Sequence, residues 1–194
     1  MTTADGTHTI YPPLPPAAPL AEVARRHGTD KFEHGYCPHY ERHLGDGFTF
    51  RGTLVEVGVA AGNSLRTWRE FYPFAQVIGI EINVAYADVG VLLGDAATPE
   101  PWQQLSAVPD VIIDDGSHVA SEILTTFAIG WQRLAPGGWY VIEDLETTRH
   151  GQFGGDSHTF GPVGALLDEM ARLAIMGQVE LHLYEEIAFI KKLR

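Results

Sequence analysis

Apolar and polar positions alternate in blocks along this chain. Residues 53–58, 76–82, 91–94, 110–114 and 139–142 are apolar nearly throughout and rich in Val, Ile and Leu, the pattern of strands buried on both faces. Between them the apolar positions recur at helical spacing. A helix is expected over 63–72, a short one over 101–106 beside Pro99 and Pro101, and a longer one over 119–134, where Ile123, Phe127 and Trp131 fall four apart. Ala135-Pro136-Gly137-Gly138 breaks that helix before the next strand. Strands that alternate with helices predict an α/β fold with a parallel sheet covered on both sides. The end of the chain differs. Residues 179–184 and 187–192 are strand-like runs joined only by Glu185-Glu186, too short a link for the crossover that parallel neighbours require, so this pair must be antiparallel. The expectation is a mostly parallel seven-stranded sheet closed by a C-terminal antiparallel hairpin.

The start of the chain reads as an arm and a cap. Pro12, Pro13, Pro15, Pro16 and Pro19 favour extended backbone over residues 1–19, a flexible arm or one that packs on a partner subunit. Leu20, Val23 and Ala24 mark one face of a short helix over 20–27, stopped at Gly28. The stretch from Gly28 to Tyr40 is too polar for core and too aromatic for a plain linker; a second helix is expected from Tyr40 to Leu44. Residues 20–50 would cap a single domain spanning 20–194.

Composition narrows the classes of function. The 194 residues are 45% hydrophobic and 20% charged, ordinary for one globular domain with a real core. A formal charge of −12 argues against nucleic acid and anionic membrane as partners, because both call for basic patches, and is compatible with metal cations. The lone Cys37 excludes an internal disulfide and fits a reducing compartment. With no basic-then-apolar leader and no run long enough to span a bilayer, a cytoplasmic location is expected. Oligomeric state stays open, a homo-oligomer included.

The chemistry-bearing residues fall where the strands end. Asp114-Asp115-Gly116-Ser117-His118 follows Val111-Ile112-Ile113, and Glu143-Asp144 follows Tyr140-Val141-Ile142. If these strands are parallel neighbours, four carboxylates and one histidine converge at one sheet edge, a divalent-metal site with a base beside it. Alone, Asp-Gly is common turn chemistry and Ser117 reads as a helix cap; the second acidic pair is what favours a metal. Asp114 could orient cofactor or backbone instead.

Glu56-Val57-Gly58-Val59-Ala60-Ala61-Gly62 links the first strand to its helix. Glycines there admit a ligand close to the backbone, and the helix N-terminus adds partial positive charge. Ala60 and Ala61 stand where the dinucleotide fingerprint needs glycine, which argues against a pyrophosphate ligand such as NAD. Glu56 favours a ligand carrying positive charge. Glu81 ends the second strand, where ribose hydroxyls are commonly bound, and Asp95 after the third strand could face an adenine amine. Together these outline a nucleoside site of acidic character.

The glycine loop with Glu56, Glu81, Asp95 and the terminal hairpin resembles a class I S-adenosylmethionine-dependent methyltransferase, whose fold is a Rossmann-like sandwich. Asp114-Asp115-Gly116-Ser117-His118, Ile142-Glu143-Asp144 and Gly28-Thr29-Asp30-Lys31 with His34 and Tyr36 resemble, more narrowly, the Mg-dependent sugar O-methyltransferases of macrolide and aminocoumarin biosynthesis. The resemblance covers roughly residues 20–194. It implies S-adenosyl-L-methionine and Mg²⁺ as cofactors, Asp115, Glu143 and Asp144 as metal ligands and His118 as general base. It also implies a cofactor site shaped by Glu56, Gly58, Gly62, Glu81, Asp95 and Asp114, closed over by the segment of Lys31 and Tyr36. The acceptor it implies is a small glycosylated molecule, methylated on a sugar hydroxyl with a neighbouring hydroxyl. A catechol-like or polyketide hydroxyl is the alternative; so is a methyltransferase fold that binds the cofactor without methyl transfer, or a binding subunit. The Gly-rich loop 146–158, with His150 and His158, reads as a solvated loop or as a lid that touches substrate. His34, His39 and His43, among Tyr36 and Tyr40, read as an aromatic cap as readily as a metal site. Trp68 and Trp131 read as core.

Overall fold

The structure is a computed structural model that describes residues 18–156, 158 and 161–194. The proline-rich arm expected over 1–19 therefore lies, but for its last two residues, outside the described residues. Helix α1 (Leu20–His27) buries Leu20, Val23 and Ala24 and ends at Gly28, whose left-handed φ of 71° lets its N–H cap the last carbonyls. A single 3₁₀ turn, Asp30–Phe32, leads to α2 (Cys37–Leu44). This helix starts earlier than the sequence suggests because Pro38 falls in its first turn, where a missing N–H costs nothing.

Strand β1 (Thr53–Val57), α3 (Asn63–Phe71), β2 (Gln76–Glu81) and β3 (Val91–Leu93) follow, then α4 (Pro99–Gln103), β4 (Val111–Asp114), α5 (Ala120–Arg133) and β5 (Trp139–Ile142). Helix α4 is shorter and earlier than expected, again because proline seeds its first turn. Helix α6 (Gly161–Ile175) is not anticipated from the sequence: among the described residues it buries only Val163 and Met170, a weak stripe. Strands β6 (Val179–Leu183) and β7 (Ala188–Lys192) close the chain.

The sheet has seven strands in the order β3-β2-β1-β4-β5-β7-β6. The first five are parallel; β7 runs antiparallel to β5 and to β6. In-out alternation divides the core. Leu54, Val111, Ile113, Val141 and Phe189 face one layer with Leu20, Tyr40 and Trp68; Val55, Ile112, Tyr140, Ile142 and Ile190 face the other with Trp102, Ile123 and Phe127. Each such buried apolar side chain contributes about 1.5–3 kcal/mol relative to exposure.

Register fixes where the chemistry lies. Val57 pairs with Ile80 and with Asp114, and Asp114 pairs with Ile142. The carboxyl ends of β1, β2, β4 and β5 are therefore level, and the residues just beyond them share one edge of the sheet, where open α/β sheets bind ligands. Among the described residues no helix is long and apolar enough to cross a membrane.

Candidate active site

A cleft of about 560 Å³ opens at this edge. Gly58, Glu81, Asp95, Asp114, Asp115, His118 and Asp144 line it, with Gly28, Thr29 and Asp30 of the cap and Asn63, Ser64 and Tyr86 beside them. The loop after β1 can approach β4 only because residue 58 is glycine. Its φ is +82°, and a Cβ there would stand 2.0 Å from the carbonyl oxygen of Asp115. Gly62, by contrast, caps α3 in the left-handed conformation and does not line the cleft.

Glu81 holds that loop from the side. Its carboxylate accepts from the backbone N–H groups of Val59 (2.9 Å), Ala60 (3.0 Å) and Asn83 (2.7 Å). Burial pushes its pKa up, but the donors from Asn83, Val59, Ala60 and Ile82 outweigh burial and the net direction is down. Asp95 is exposed and accepts from the N–H of Ala97. Asp114 is buried, accepts from the Tyr140 hydroxyl at 3.0 Å, and is raised to about 7 by burial and by the neighbouring Asp115 charge.

The remaining carboxylates separate into a sealed group and an open one. Glu56, Glu143 and Lys31 are 0%, 2% and 1% exposed. The Lys31 ammonium lies 2.6 Å from Asp115 Oδ2, 2.6 Å from Glu143 Oε2 and 3.3 Å from Glu56 Oε1. Burial alone would lower Lys31, but Glu143, Asp115 and Glu56 hold it charged, well above its ordinary value. Tyr40 donates to the second oxygen of Glu143, and Ser64 and Trp68 donate to Glu56 at 2.7 and 3.1 Å. Lys31 and Glu56, expected at the cofactor, thus lie beneath the cleft and do not line it. Tyr36 does not line it either; its hydroxyl donates to Asp144 Oδ1 at 2.7 Å from the cap side.

The open group is Asp115, His118 and Asp144, whose ligand atoms all lie within 4.8 Å of one another. His118 Nε2 stands 3.5 Å from Asp144 Oδ2. Among the described residues the non-glycine positions with positive φ are Ala60 (44°), His118 (59°) and Asp144 (54°), and all three line the cleft. Such backbone costs on the order of 1–3 kcal/mol per residue and persists where surrounding structure enforces it. Ser117 accepts from the N–H of Val119 rather than from inside α5, a local turn that delivers His118 ahead of the helix.

Asp115 and Asp144 at this spacing can hold a small divalent cation that keeps waters or substrate in its other positions, and leave the His118 imidazole beside it as a base. Glu143, the third ligand expected, has both oxygens engaged by Lys31 and Tyr40. Sequence reasoning missed Tyr40, Ser64 and Trp68 as supports of the buried carboxylates, since each reads locally as a helix-face residue. It did not single out Glu186; His34, read there as aromatic cap or metal ligand, gathers with Glu186 and Asp144 within 4.8 Å.

No protein-family profile matches the chain. Curated relatives do. It is 30% identical to the mycinamicin VI 2''-O-methyltransferase of Micromonospora griseorubida, over 89% of this chain and 52% of that protein. It is 36% identical to the 8-demethyl-8-alpha-L-rhamnosyl tetracenomycin-C 2'-O-methyltransferase of Streptomyces olivaceus, over 76% of this chain and 43% of that one. Among solved structures, the MycE methyltransferase from the mycinamycin biosynthetic pathway, in complex with Mg and SAH, superposes with a TM-score of 0.80 at 32% identity, covering 91% of this chain and 55% of the other. The chain thus spans about half the length of the curated relatives it matches. Its fold is that of the class I methyltransferases, as the sequence resemblance implies.

Proposed function

We propose that the chain is an S-adenosylmethionine- and Mg²⁺-dependent O-methyltransferase acting on a sugar hydroxyl of a glycosylated natural product. The observation that carries this reading is the open group of Asp115, His118 and Asp144 at the mouth of the cleft. Relatives named for methylating glycosylated antibiotics, and a solved relative holding Mg and SAH, support the same assignment.

The cleft of about 560 Å³ suits a nucleoside cofactor. Glu81 offers remaining lone pairs to ribose hydroxyls while its backbone partners keep it ionised, and the glycine at 58 lets the loop after β1 close on β4 beside the cofactor site. A sugar hydroxyl is a weak nucleophile because its proton is held tightly. Bound magnesium would supply Lewis acidity to two neighbouring acceptor oxygens, with Asp115 and Asp144 as its ligands and Glu143 a third if Lys31 yields it. His118 then takes the hydroxyl proton as the oxygen attacks the methyl carbon. The new C–O bond forms, the sulfonium C–S bond breaks, and the products are a methyl ether, S-adenosylhomocysteine and the imidazolium. Asp144, at 3.5 Å, stabilises that imidazolium. General-base catalysis of this kind contributes about 10²–10⁴-fold, and in-line positioning up to about 7–11 kcal/mol.

The test is transfer of labelled methyl from S-adenosylmethionine to a panel of glycosides, with and without EDTA. Transfer that stops in EDTA and returns with Mg²⁺ supports the reading. Cofactor binding with no transfer to any glycoside, catechol or polyketide hydroxyl removes it.

A further inference from the structure

We propose that Lys31 is a built-in competitor of the metal: a positioning residue that holds the site's carboxylates and lowers their affinity for Mg²⁺; this rests on the metal-dependent reading above. Its side chain is 1% exposed and runs beneath the cleft instead of lining it. Its task is therefore set by the carboxylates it meets.

Two of those three carboxylates are expected metal ligands. The ammonium lies 2.6 Å from Asp115 Oδ2 and 2.6 Å from Glu143 Oε2. Tyr40 donates to the other oxygen of Glu143, and the Tyr36 hydroxyl donates to Asp144 Oδ1 at 2.7 Å. Residues 31–40 thus bond every carboxylate that would hold the metal. Glu56, the third partner of Lys31 at 3.3 Å, is different. It is 0% exposed, does not line the cleft, and is anchored by Ser64 at 2.7 Å and Trp68 at 3.1 Å. Glu56 gives the ammonium a seat that no metal in the cleft contests. Lys31 can therefore release Asp115 and Glu143 without being left unpaired.

Charge decides the direction of the effect. A neutral support that only orients a ligand raises metal affinity. An ammonium is also a like charge next to the metal, and it draws on the same Asp115. Away from bulk water that repulsion is weakly screened, and the metal's second charge doubles it. The effect is reciprocal: whatever Lys31 takes from metal affinity, the metal takes from the hold of Lys31 on the site.

The experiment titrates Mg²⁺ alone into the full chain by calorimetry, without cofactor or acceptor. It compares the parent, Lys31→Gln and Lys31→Arg, each below its melting onset. Lys31→Gln should bind Mg²⁺ about 10–100-fold more tightly, the scale on which partners of metal ligands act. Lys31→Arg keeps the charge and should stay close to the parent. Added Mg²⁺ should also raise the melting temperature of Lys31→Gln more than that of the parent, because the ion replaces the missing charge. A lysine that is merely structural gives the opposite sign: weaker Mg²⁺ binding in Lys31→Gln overturns the proposal, and so does equal affinity. If Lys31→Gln does not fold alone, Mg²⁺ should restore folding; a chain that stays unfolded at saturating Mg²⁺ overturns the proposal as well. Tighter Mg²⁺ binding by Lys31→Gln with no methyl transfer by the parent removes the methyltransferase reading and leaves the role of Lys31 standing. Absence of Mg²⁺ binding in both parent and Lys31→Gln removes the metal and this role together.

Discussion

Glu143 and Asp144 are adjacent in sequence and opposite in circumstance. Glu143 is 2% exposed, with one oxygen on Lys31 and the other on Tyr40. Asp144 is turned by a left-handed backbone into the cleft, within reach of His118. The difference is general to the site. Glu56 and Glu143 are satisfied internally around one ammonium, whereas Asp144 and His118 face outward with capacity to spare. Asp115 belongs to both groups, because one oxygen meets Lys31 while the residue lines the cleft. An inner charged group therefore holds an outer one in place, and the two should fail in different ways.

The largest failure should follow Lys31→Met. It leaves Glu56, Glu143 and Asp115 without their shared cation, and breaking a buried ion pair from one side costs about 3–5 kcal/mol. Urea unfolding should report that loss, with methyl transfer falling alongside. Stability within about 1 kcal/mol of the parent, in the range of an exposed pair, would show that the inner group is not structural. His118→Ala should instead spare folding and S-adenosylhomocysteine affinity while lowering turnover about 10²–10⁴-fold. A variant that turns over normally would take the base away from residue 118. Between these, the neighbouring pair gives a direct contrast. Asp144→Asn should weaken the Mg²⁺ dependence of activity on the order of 10–100-fold at nearly unchanged stability, read by Mg²⁺ titration and calorimetry. Glu143→Gln should show its cost first in the melting temperature. If the two variants behave alike, the division between inner and outer carboxylates collapses.

Much of this division was not visible in the sequence. The strand ends were, because continuous apolar runs followed by Asp114-Asp115 and Glu143-Asp144 fix both the parallel sheet and the shared edge. The terminal hairpin was legible for the same reason: two residues cannot make a parallel crossover. What spacing does not carry is which way each side chain turns once the ends are level. Lys31 is 84 residues from Asp115 and 112 from Glu143, and only the packing of the cap on the sheet puts it beneath them rather than over the cofactor. Positive φ is uncommon outside glycine even though Asp and His are enriched among the exceptions, so residue type alone does not single out His118 and Asp144 for the left-handed turns they make. Helix α6 was missed because its buried stripe is sparse.

The smallest effect tests whether an opposite charge is what keeps a group ionised once it leaves full solvent. His43 is the control: half-buried, it packs between Trp139, His182 and Phe189, with Nε2 2.8 Å from the Tyr184 hydroxyl and, among the described residues, no carboxylate bonded to it. Burial, then the positive neighbours His182, Arg42 and His39, push its pKa down to about 4, and Glu180 opposes them only weakly. In the unfolded chain the imidazole takes a proton below about 6.5, while in the fold it resists until about 4, so the unfolded state binds more protons across that window. Stability should therefore fall as pH drops from about 6.5 towards about 4. His43→Gln keeps a partner for Tyr184 without a titrating ring, and should flatten this slope by an amount on the order of a few °C in melting temperature. An unchanged slope would mean that His43 titrates alike in both states, and that partial burial without an opposite charge bonded to the ring does not neutralise it.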